Sequence, residues 1–255
     1  MEAKQKKSML LHACCGPCST ACLERLLPDY GITVFYFNPN ITDEAEYRMR
    51  EAELRSFLAR WQPDGKASGI GLICGRYDPQ EYYTCVKGLE ATGEGGSRCR
   101  ACFTLRLTET ARLAKEMGFD CFDTTLTVSP YKSFADISAI GCALAAEYGV
   151  EYAEGNYKKK DGYRRSIELS REYGLYRQDY CGCAFSKAEA EERRAARQLK
   201  QTSADGLGQI LRCAQDDKSR ELPDGTSQRL PEDRPPETAV GTPKAVACVP
   251  EGESV

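Results

Sequence analysis

The sequence lacks the features that define membrane-spanning, secreted and repeat proteins. It contains no apolar run of about 18 residues, the length that a membrane-spanning helix requires. The apolar stretch in MEAKQKKSMLLHACC is too short for the hydrophobic region of a signal peptide. No internal repeat occurs at the periods of solenoid proteins. We therefore expect a cytoplasmic protein without a membrane partner, and its 255 residues suffice to bury a sizeable core.

Histidine is also scarce, because His12 is the only one in the chain. His12 lies inside the first apolar run, in SMLLHACC, between residues that read as a buried strand. Tyr180 and Asp179, which directly precede Cys181, are other side chains that could donate a proton in a reaction. For His12 we expect a packed, hydrogen-bonded role in the core instead of a catalytic one.

Cysteine, in contrast, is abundant, with 14 residues. In a reducing compartment, clustered cysteines indicate metal or redox chemistry more than a disulfide framework. Eight of them cluster in the sequence: Cys14, Cys15, Cys18 and Cys22, then Cys99 and Cys102, then Cys181 and Cys183. For Cys22, one helical turn beyond Cys18, we expect a role in the core. For each cysteine that stands alone we expect a small buried side chain or an incidental thiol.

The composition changes near residue 200. Half of the 12 prolines lie between residues 201 and 255, where six Lys and Arg face ten Asp and Glu. That segment has no sustained apolar periodicity and is predicted to be mostly disordered. We therefore predict one α/β catalytic domain over residues 1–200 and a disordered extension over residues 201–255. The acidic excess belongs to the extension, so it does not argue against a polyanionic partner for the domain.

Strand and helix patterns alternate within the predicted domain. Apolar, β-rich runs ended by Gly, Pro or Asn predict strands within residues 8–15, 32–40, 69–78, 121–129 and 149–157. Apolar spacings of three and four predict helices within residues 43–62, 99–118, 133–149, 162–174 and 185–200. This alternation predicts a three-layer fold, a mainly parallel sheet with helices on both faces, Rossmann-like or ATP-pyrophosphatase-like. The cysteines after the first strand would lie at the sheet edge where such folds build their sites.

Two cysteine pairs could meet at one centre. Cys99 and Cys102 form a C-x-x-C pair on one helical turn, and Cys14 and Cys15 are adjacent at a strand-to-helix junction. Adjacent side chains diverge in regular structure, so both sulfurs face one centre only where the chain turns sharply. Four thiolates suit either a [4Fe–4S] cluster or a structural zinc ion, and the spacing alone leaves both open.

The third cluster, Cys181–Gly182–Cys183, is a C-x-C sequence. A disulfide across it would close a small strained ring, which is readily reduced and suits catalysis more than structural support. The preceding segment, NYKKKDGYRRSIELSREYGLYRQDYCGC, interleaves basic and tyrosine side chains. Cations can follow a phosphate backbone and aromatic rings can stack on unpaired bases, so this segment is a candidate RNA-binding surface. Its candidate contact residues are Lys158, Lys159, Arg164, Arg165, Tyr176 and Arg177.

Five stretches in order over residues 8–190 resemble the cobalamin-independent epoxyqueuosine reductases of the QueH family. They are LLHACCGPCS, FNPNI followed by EYRMR, RCRACFTLRLTETA, LTVSPYKS and GNYKKKDGYRRSIELSREYGLYRQDYCGCAFS. The resemblance implies reduction of epoxyqueuosine to queuosine at the wobble position of tRNA with a GUN anticodon, the last step of queuosine biosynthesis. It also implies an electron donor that the sequence does not identify, and no DNA partner.

The resemblance further implies a set of site residues. A [4Fe–4S] cluster would be bound by Cys14, Cys15, Cys99 and Cys102, and Cys181 and Cys183 would form a redox-active pair. An additional mononuclear iron is implied beside the cluster, for which Cys18 could supply a thiolate. Two other functions remain as alternatives, a cluster-free thiol–disulfide oxidoreductase and a zinc-stabilised RNA-binding module.

Overall fold

The computed structural model describes residues 6–62 and 69–218, with side chains as far as residue 201. The strands are β1 Lys7–His12, β2 Tyr30–Tyr36, β3 Gly71–Cys74, β4 Cys121–Thr124 and β5 Glu151–Tyr152. The α-helices are α1 Gly16–Leu26, α2 Glu44–Arg60, α3 Pro79–Cys85, α4 Ser97–Glu116, α5 Phe134–Tyr148, α6 Gly162–Glu172 and α7 Ala184–Lys218.

The five strands form one parallel sheet in the order β3-β2-β1-β4-β5. β1 lies in the middle, where His12 is opposite Phe35 of β2 and Thr124 of β4. The chain passes from β1 through α1 to β2 on one side, whereas β4 pairs on the other side. The order therefore reverses between β1 and β4, and the carboxyl ends of these strands flank the crevice in which doubly wound folds bind ligands.

Alternate residues of the central strands pack into separate cores on the two faces of the sheet. Met9 and Leu11 of β1 belong to one core with side chains of α1, α2 and α6. Leu10 belongs to the other core with side chains of α4 and α5. This alternation follows from the two-residue period of a strand, and covering both faces accounts for the nearly continuous apolar sequence of β1. The predicted three-layer fold with a parallel sheet is confirmed.

Two elements differ from the sequence patterns. The strand predicted over residues 121–129 ends at Thr124, because the Thr124 hydroxyl accepts a hydrogen bond from Leu126 N at 3.2 Å. The chain continues there as a 3₁₀ helix over Thr125–Val128. The seven-residue α3, begun by the Asp78 cap and Pro79, was not predicted, since it is too short to show helical periodicity.

The last helix, α7, begins near the predicted position and continues to Lys218. The chain divides into two units, Met1–Gln201 and Thr202–Val255, and the features described below belong to the first. The prediction of a disordered extension falls largely on residues 219–255, which lie outside the described residues. The predicted division of the chain at residue 200 stays a prediction. Within residues 6–62 and 69–218, no helix has both the length and the apolar content needed to cross a membrane.

Candidate metal and redox site

The turn between β1 and α1 brings three thiols together. Cys15 is the N-cap residue of α1 in an extended conformation, and Pro17 lies in the first turn of the helix. Asn38 Nδ2 donates to Ala13 O at 2.9 Å and supports the turn from β2. The sulfur atoms of Cys14, Cys15 and Cys18 all lie within 4.8 Å of one another, and those of Cys14 and Cys15 are 3.8 Å apart. This triad is a group that could hold a metal ion.

The three thiols of the triad differ in acidity. The thiols of Cys15 and Cys18 donate to the Cys14 sulfur, which lowers the pKa of Cys14 well below its ordinary value. The same hydrogen bond from Cys15 to Cys14 raises the pKa of Cys15 to about 12. The pKa of Cys18 is also raised by its hydrogen bonds to the other two sulfurs. Cys14 is thus the most acidic thiol of the triad, and thiolates are the form that binds metals.

Cys99 and Cys102 lie in the first turns of α4. Cys99 packs against the core that contains Cys14 and Cys15, and its sulfur accepts a hydrogen bond from Gly95 N at 3.3 Å. Cys102 packs with Cys183 in a small third core. Burial raises the pKa of Cys99 and raises that of Cys102 to about 12. Among the described residues, the thiols close enough to share one metal ion are those of Cys14, Cys15 and Cys18.

The Cys181–Gly182–Cys183 loop is held from several directions. Arg50, a buried side chain of α2, donates from Nη1 to Cys181 O at 3.1 Å, and its guanidinium lies 5.2 Å from the ring centre of Tyr180. Cys181 N donates to Ser186 Oγ at 3.0 Å. Both cysteines of the loop carry free thiols. The loop therefore presents two cysteine side chains from a backbone held by these contacts.

Gly182 is required by this conformation. Its φ is +119°, and a Cβ atom added to it would lie 2.8 Å from Cγ1 of Ile41. Any other residue would meet both the backbone strain of a positive φ and this steric overlap. The backbone conformation thus explains why the residue between the two cysteines is glycine, which the sequence pattern alone only suggested.

A cavity of about 540 Å³ joins these elements. Cys14, Cys18 and Cys181 all line it, so the β1–α1 turn and the C-x-C loop open onto the same space. Lys132, from the loop after the 3₁₀ helix, also lines the cavity. Burial acts to lower the pKa of Lys132, but coulombic attraction to the thiolate forms of Cys181, Cys14 and Cys18 outweighs burial and raises it. Lys132 is therefore a permanent cation beside the thiols.

The surroundings of the thiols fit an anionic metal group. Arg106 of α4 is fully buried, and its two Nη atoms have no hydrogen-bond partner among the described residues. Burial acts to lower the pKa of Arg106, but coulombic attraction to the thiolate forms of Cys102, Cys181, Cys14 and Cys99 raises it. Buried charges are normally paired, so a group bound by several thiolates would compensate this guanidinium. The all-sulfur donor set is also that of iron–sulfur clusters and structural zinc.

The predicted RNA-contact residues lie in different places. Arg177 lines the cavity. Lys158 donates from Nζ to Lys132 O at 2.7 Å, so it supports the Lys132 loop. Arg165 pairs with Glu24 at 2.7 Å, and with Arg164 it lines a separate depression next to α6. Lys159 and Tyr176 are exposed.

Several residues that line the cavity were not singled out from the sequence: Tyr131, Lys132, Arg193, Arg194 and Arg197. Two signals could have found some of them. Lys132 belongs to LTVSPYKS, one of the stretches that carry the family resemblance. Arg193, Arg194 and Arg197 share one helical face directly after the C-x-C sequence.

His12 has the core role predicted for it. The side chain is fully buried, with Nδ1 2.9 Å from Thr124 Oγ1 and Nε2 3.1 Å from Phe37 O. Because a carbonyl only accepts, Nε2 carries the proton, and Nδ1 accepts from the Thr124 hydroxyl. Burial and the charge of Arg106 lower the pKa of His12 to about 3. His12 is therefore neutral and connects β1, β2 and β4 behind the site.

The fold and the site together define a class of protein. It is a doubly wound α/β protein in which thiols and cations occupy the crevice at the topological switch point. A family model described as "Epoxyqueuosine reductase QueH" matches residues 9–189. The chain therefore belongs to the epoxyqueuosine reductase QueH family.

Curated relatives named "Epoxyqueuosine reductase QueH" agree with this membership. The relative from Streptococcus pyogenes serotype M1 is 41% identical over 181 residues, which cover 71% of this chain and 71% of the relative. The relative from Staphylococcus epidermidis is 38% identical over 184 residues, or 71% of this chain and 77% of the relative. The relative from Thermotoga maritima is 34% identical over 191 residues, or 74% of this chain and 94% of the relative.

Proposed function

We propose that this chain is an epoxyqueuosine reductase that acts on tRNA. Its substrate is epoxyqueuosine at the wobble position of a GUN anticodon, and its product is queuosine. The observation that carries the proposal is that Cys14, Cys18 and Cys181 line one cavity at the switch point, next to the cation of Lys132. Family membership and the names of the relatives support the same reaction.

Cys14, Cys15, Cys99 and Cys102 would hold a [4Fe–4S] cluster, and Cys18 would supply a thiolate to an additional mononuclear iron. When bound, the cluster supplies electrons one at a time and the iron supplies a Lewis acid. The donor chemistry of the five thiols and the uncompensated charge of Arg106 support this assignment.

Cys181 and Cys183 are proposed as the redox pair. Loss of the epoxide oxygen as water breaks two C–O bonds, leaves a C=C bond and consumes two electrons and two protons. Oxidation of the two thiols to a disulfide releases two electrons and two protons, so the pair can hold the reducing equivalents for one turnover. The small ring of a C-x-C disulfide is easily reduced again, and a separate electron donor must do so.

The residues around the cavity have roles that need no cofactor. Lys132 and Arg177 place positive charge where an anionic substrate enters. Arg50 fixes the carbonyl of Cys181 and therefore the direction of its thiol. The assignment of Lys158, Lys159, Arg164, Arg165 and Tyr176 to tRNA contact stays a prediction, as does a cytoplasmic location.

The proposal predicts that the protein purified without oxygen is brown and contains iron and sulfide. Incubated with a chemical reductant and tRNA carrying epoxyqueuosine, it should convert that nucleoside to one lacking one oxygen, measured by mass spectrometry. Cys14→Ser should lose the iron and the conversion. Cys181→Ser should keep the iron and lose most of the conversion, because the pair cannot store two electrons.

The control is Cys142→Ser, since Cys142 is an exposed cysteine of α5 outside the cavity. It should keep both iron and activity. A colourless protein that binds one zinc ion after attempted cluster reconstitution, and that leaves epoxyqueuosine unchanged, would contradict the proposal.

A further inference from the structure

The helix α7 presents a line of side chains to the cavity. Ala190, Arg193, Arg194 and Arg197 all line it, and they occupy positions i, i+3, i+4 and i+7 of one helical face. We call Arg193, Arg194 and Arg197 the arginine face. These residues follow the segment matched by the family model, which ends at residue 189. The arginine face is thus a feature of this chain outside the shared segment.

Contacts at the start of α7 fix the direction of the arginine face. Glu189 forms an ion pair with Arg98 of α4 at 2.7 Å, and the Arg98 side chain is buried. The Arg98 guanidinium also lies 4.7 Å from the ring centre of Phe185. Ala190 is buried at the cavity wall. Because Glu189 and Ala190 precede all three arginines by less than three turns, the first half of the helix cannot rotate away from the cavity without breaking these contacts.

The cavity rim is strongly cationic. Five basic side chains line the cavity against two acidic ones: Lys132, Arg177, Arg193, Arg194 and Arg197 against Glu94 and Asp179. Arg193 lies 3.5 Å from Glu94, and Arg194 lies 3.5 Å from Asp179. Both pairs are exposed, and exposed ion pairs contribute little free energy. An incoming anion can therefore replace these carboxylates at small cost.

A substrate with many phosphates, such as RNA, would explain why the rim of the cavity is cationic. A cavity of about 540 Å³ has the size of a site for one small ligand, such as a single modified nucleoside. The remainder of a tRNA must stay outside, so its phosphates lie at the rim when the nucleoside is inside. Guanidinium groups bind phosphate oxygens in bidentate geometry and keep their charge at any physiological pH.

We infer that the arginine face of α7 binds backbone phosphates of the RNA next to the nucleotide that enters the cavity. The inference rests on the proposed function, because it takes RNA as the ligand. Arg193 and Arg194 exchange Glu94 and Asp179 for phosphates when the RNA binds, and Arg197 extends the contact along the helix.

The test measures binding of an unmodified anticodon stem–loop RNA by fluorescence anisotropy over a range of salt concentrations. In the triple variant R193Q/R194Q/R197Q, the slope of log K against log salt should become shallower by about 2, from roughly 0.7 per lost phosphate contact in a single strand. The same relation predicts about 100-fold weaker binding at 0.1 M salt. An unchanged slope would overturn the inference.

A matched control separates local contacts from net charge. The variant R48Q/R55Q/R112Q removes the same charge from α2 and α4, at side chains 57%, 59% and 45% exposed, close to the 47% and 51% of Arg193 and Arg194. None of these three lines the cavity. The control should keep most of the affinity, whereas an equal loss in both variants would overturn the inference.

A second variant keeps the charge and changes the geometry. R193K/R194K/R197K should keep the slope within about 0.5 of the wild type and bind more weakly, because lysine contacts phosphate as a point charge. Far-UV circular dichroism establishes that both α7 variants retain their helix content.

The binding measurement requires no turnover, so it can fail or succeed independently of the reduction assay. If the wild type binds RNA through α7 but does not reduce the epoxide, only the proposed reaction is contradicted. Reduction by the wild type, with unchanged binding in R193Q/R194Q/R197Q, would contradict only this inference.

Discussion

At the scale of single residues, Asp123 is the one carboxylate among the described residues whose side chain is fully buried. It is fully buried at the end of β4 and accepts hydrogen bonds from Thr124 N at 2.7 Å, Gly155 N at 3.1 Å and Tyr157 Oη at 2.5 Å. Burial raises its pKa from 3.8 to about 6, although these donors act in the opposite direction. Asp123 thereby ties the segment after β5 to the strand that borders the site.

The raised pKa makes this group's contribution to stability depend on pH. Between about pH 4 and pH 6 the folded protein binds more protons at Asp123 than the unfolded chain does. Its contribution is therefore fully present below about pH 4 and is lost as the pH rises through about 6. Near neutral pH the carboxylate depends on its three donors to offset the cost of burial.

We predict that Tyr157→Phe lowers the free energy of unfolding by about 1.5–3 kcal/mol at pH 8, because a hydrogen bond to a charged group is lost. At pH 5 the loss should be smaller, because the carboxyl is then mostly protonated. Urea unfolding at the two pH values measures both differences. Tyr152→Phe is the control, since the buried Tyr152 hydroxyl has no hydrogen-bond partner among the described residues. An equal loss in both variants would contradict the role given to Asp123.

At the scale of secondary-structure elements, close packing decides how α5 covers the sheet. Gly141 of α5 faces Tyr152 of β5, and a Cβ atom added at Gly141 would lie 2.4 Å from Cε1 of that ring. The Tyr152 ring is held by Phe122, whose ring centre is 5.2 Å away, so it cannot move aside freely. The short β5 is thus covered only because α5 has no side chain at this position.

Gly141→Ala should therefore destabilise the protein by about 1–3 kcal/mol, as expected for overpacking a core. Helix propensity acts in the other direction, by about 1 kcal/mol, so a stabilising result would mean that no overlap occurs. Thermal unfolding followed by circular dichroism measures the outcome. Gly93→Ala is the control, because a Cβ atom there has nothing within 4 Å, and it should change stability by less than about 0.5 kcal/mol.

Sequence patterns predicted elements well where they are long or fully buried. β1 and β2 have alternate residues in two cores, so both read as apolar runs, and α2 begins at the Asp43 cap that accepts from Ala45 N and Glu46 N. Short elements were harder to predict. β4 ends after four residues because the Thr124 hydroxyl turns the chain, and a local hydrogen bond leaves no periodic signal.

At the scale of the whole molecule, the first unit depends on the start of α7. Arg98 is buried, and its charge is compensated by Glu189. Removing one partner of a buried ion pair leaves an uncompensated charge, which costs several kcal/mol. The residues after Lys218 follow the last described helix.

We predict that a chain ending at Lys218 unfolds within about 2 °C of the full-length protein, because residues 219–255 belong to the extension that the sequence predicts to be disordered. In a protein of this length, a shift of about 2 °C corresponds to less than about 1 kcal/mol. The same truncation should leave the iron content unchanged. A chain ending at Cys183 lacks Glu189 and should unfold at least about 5 °C lower. Differential scanning calorimetry measures both. A large shift on removing residues 219–255 would contradict the prediction that this part of the extension is disordered.

The sequence by itself determined the fold class, the position of the cysteines at a strand end and the membership of a family. These properties follow from local patterns, since apolar periodicity and the spacing of Cys14, Cys15, Cys99 and Cys102 are visible along the chain. Only the tertiary structure decided which groups share the cavity. It joins Cys181, Lys132 and the arginine face to Cys14 and Cys18, and it leaves Arg164 and Arg165 beside Glu24 and Glu168. The reason is that strand order and helix rotation set these neighbours, and both depend on packing between segments far apart in the chain.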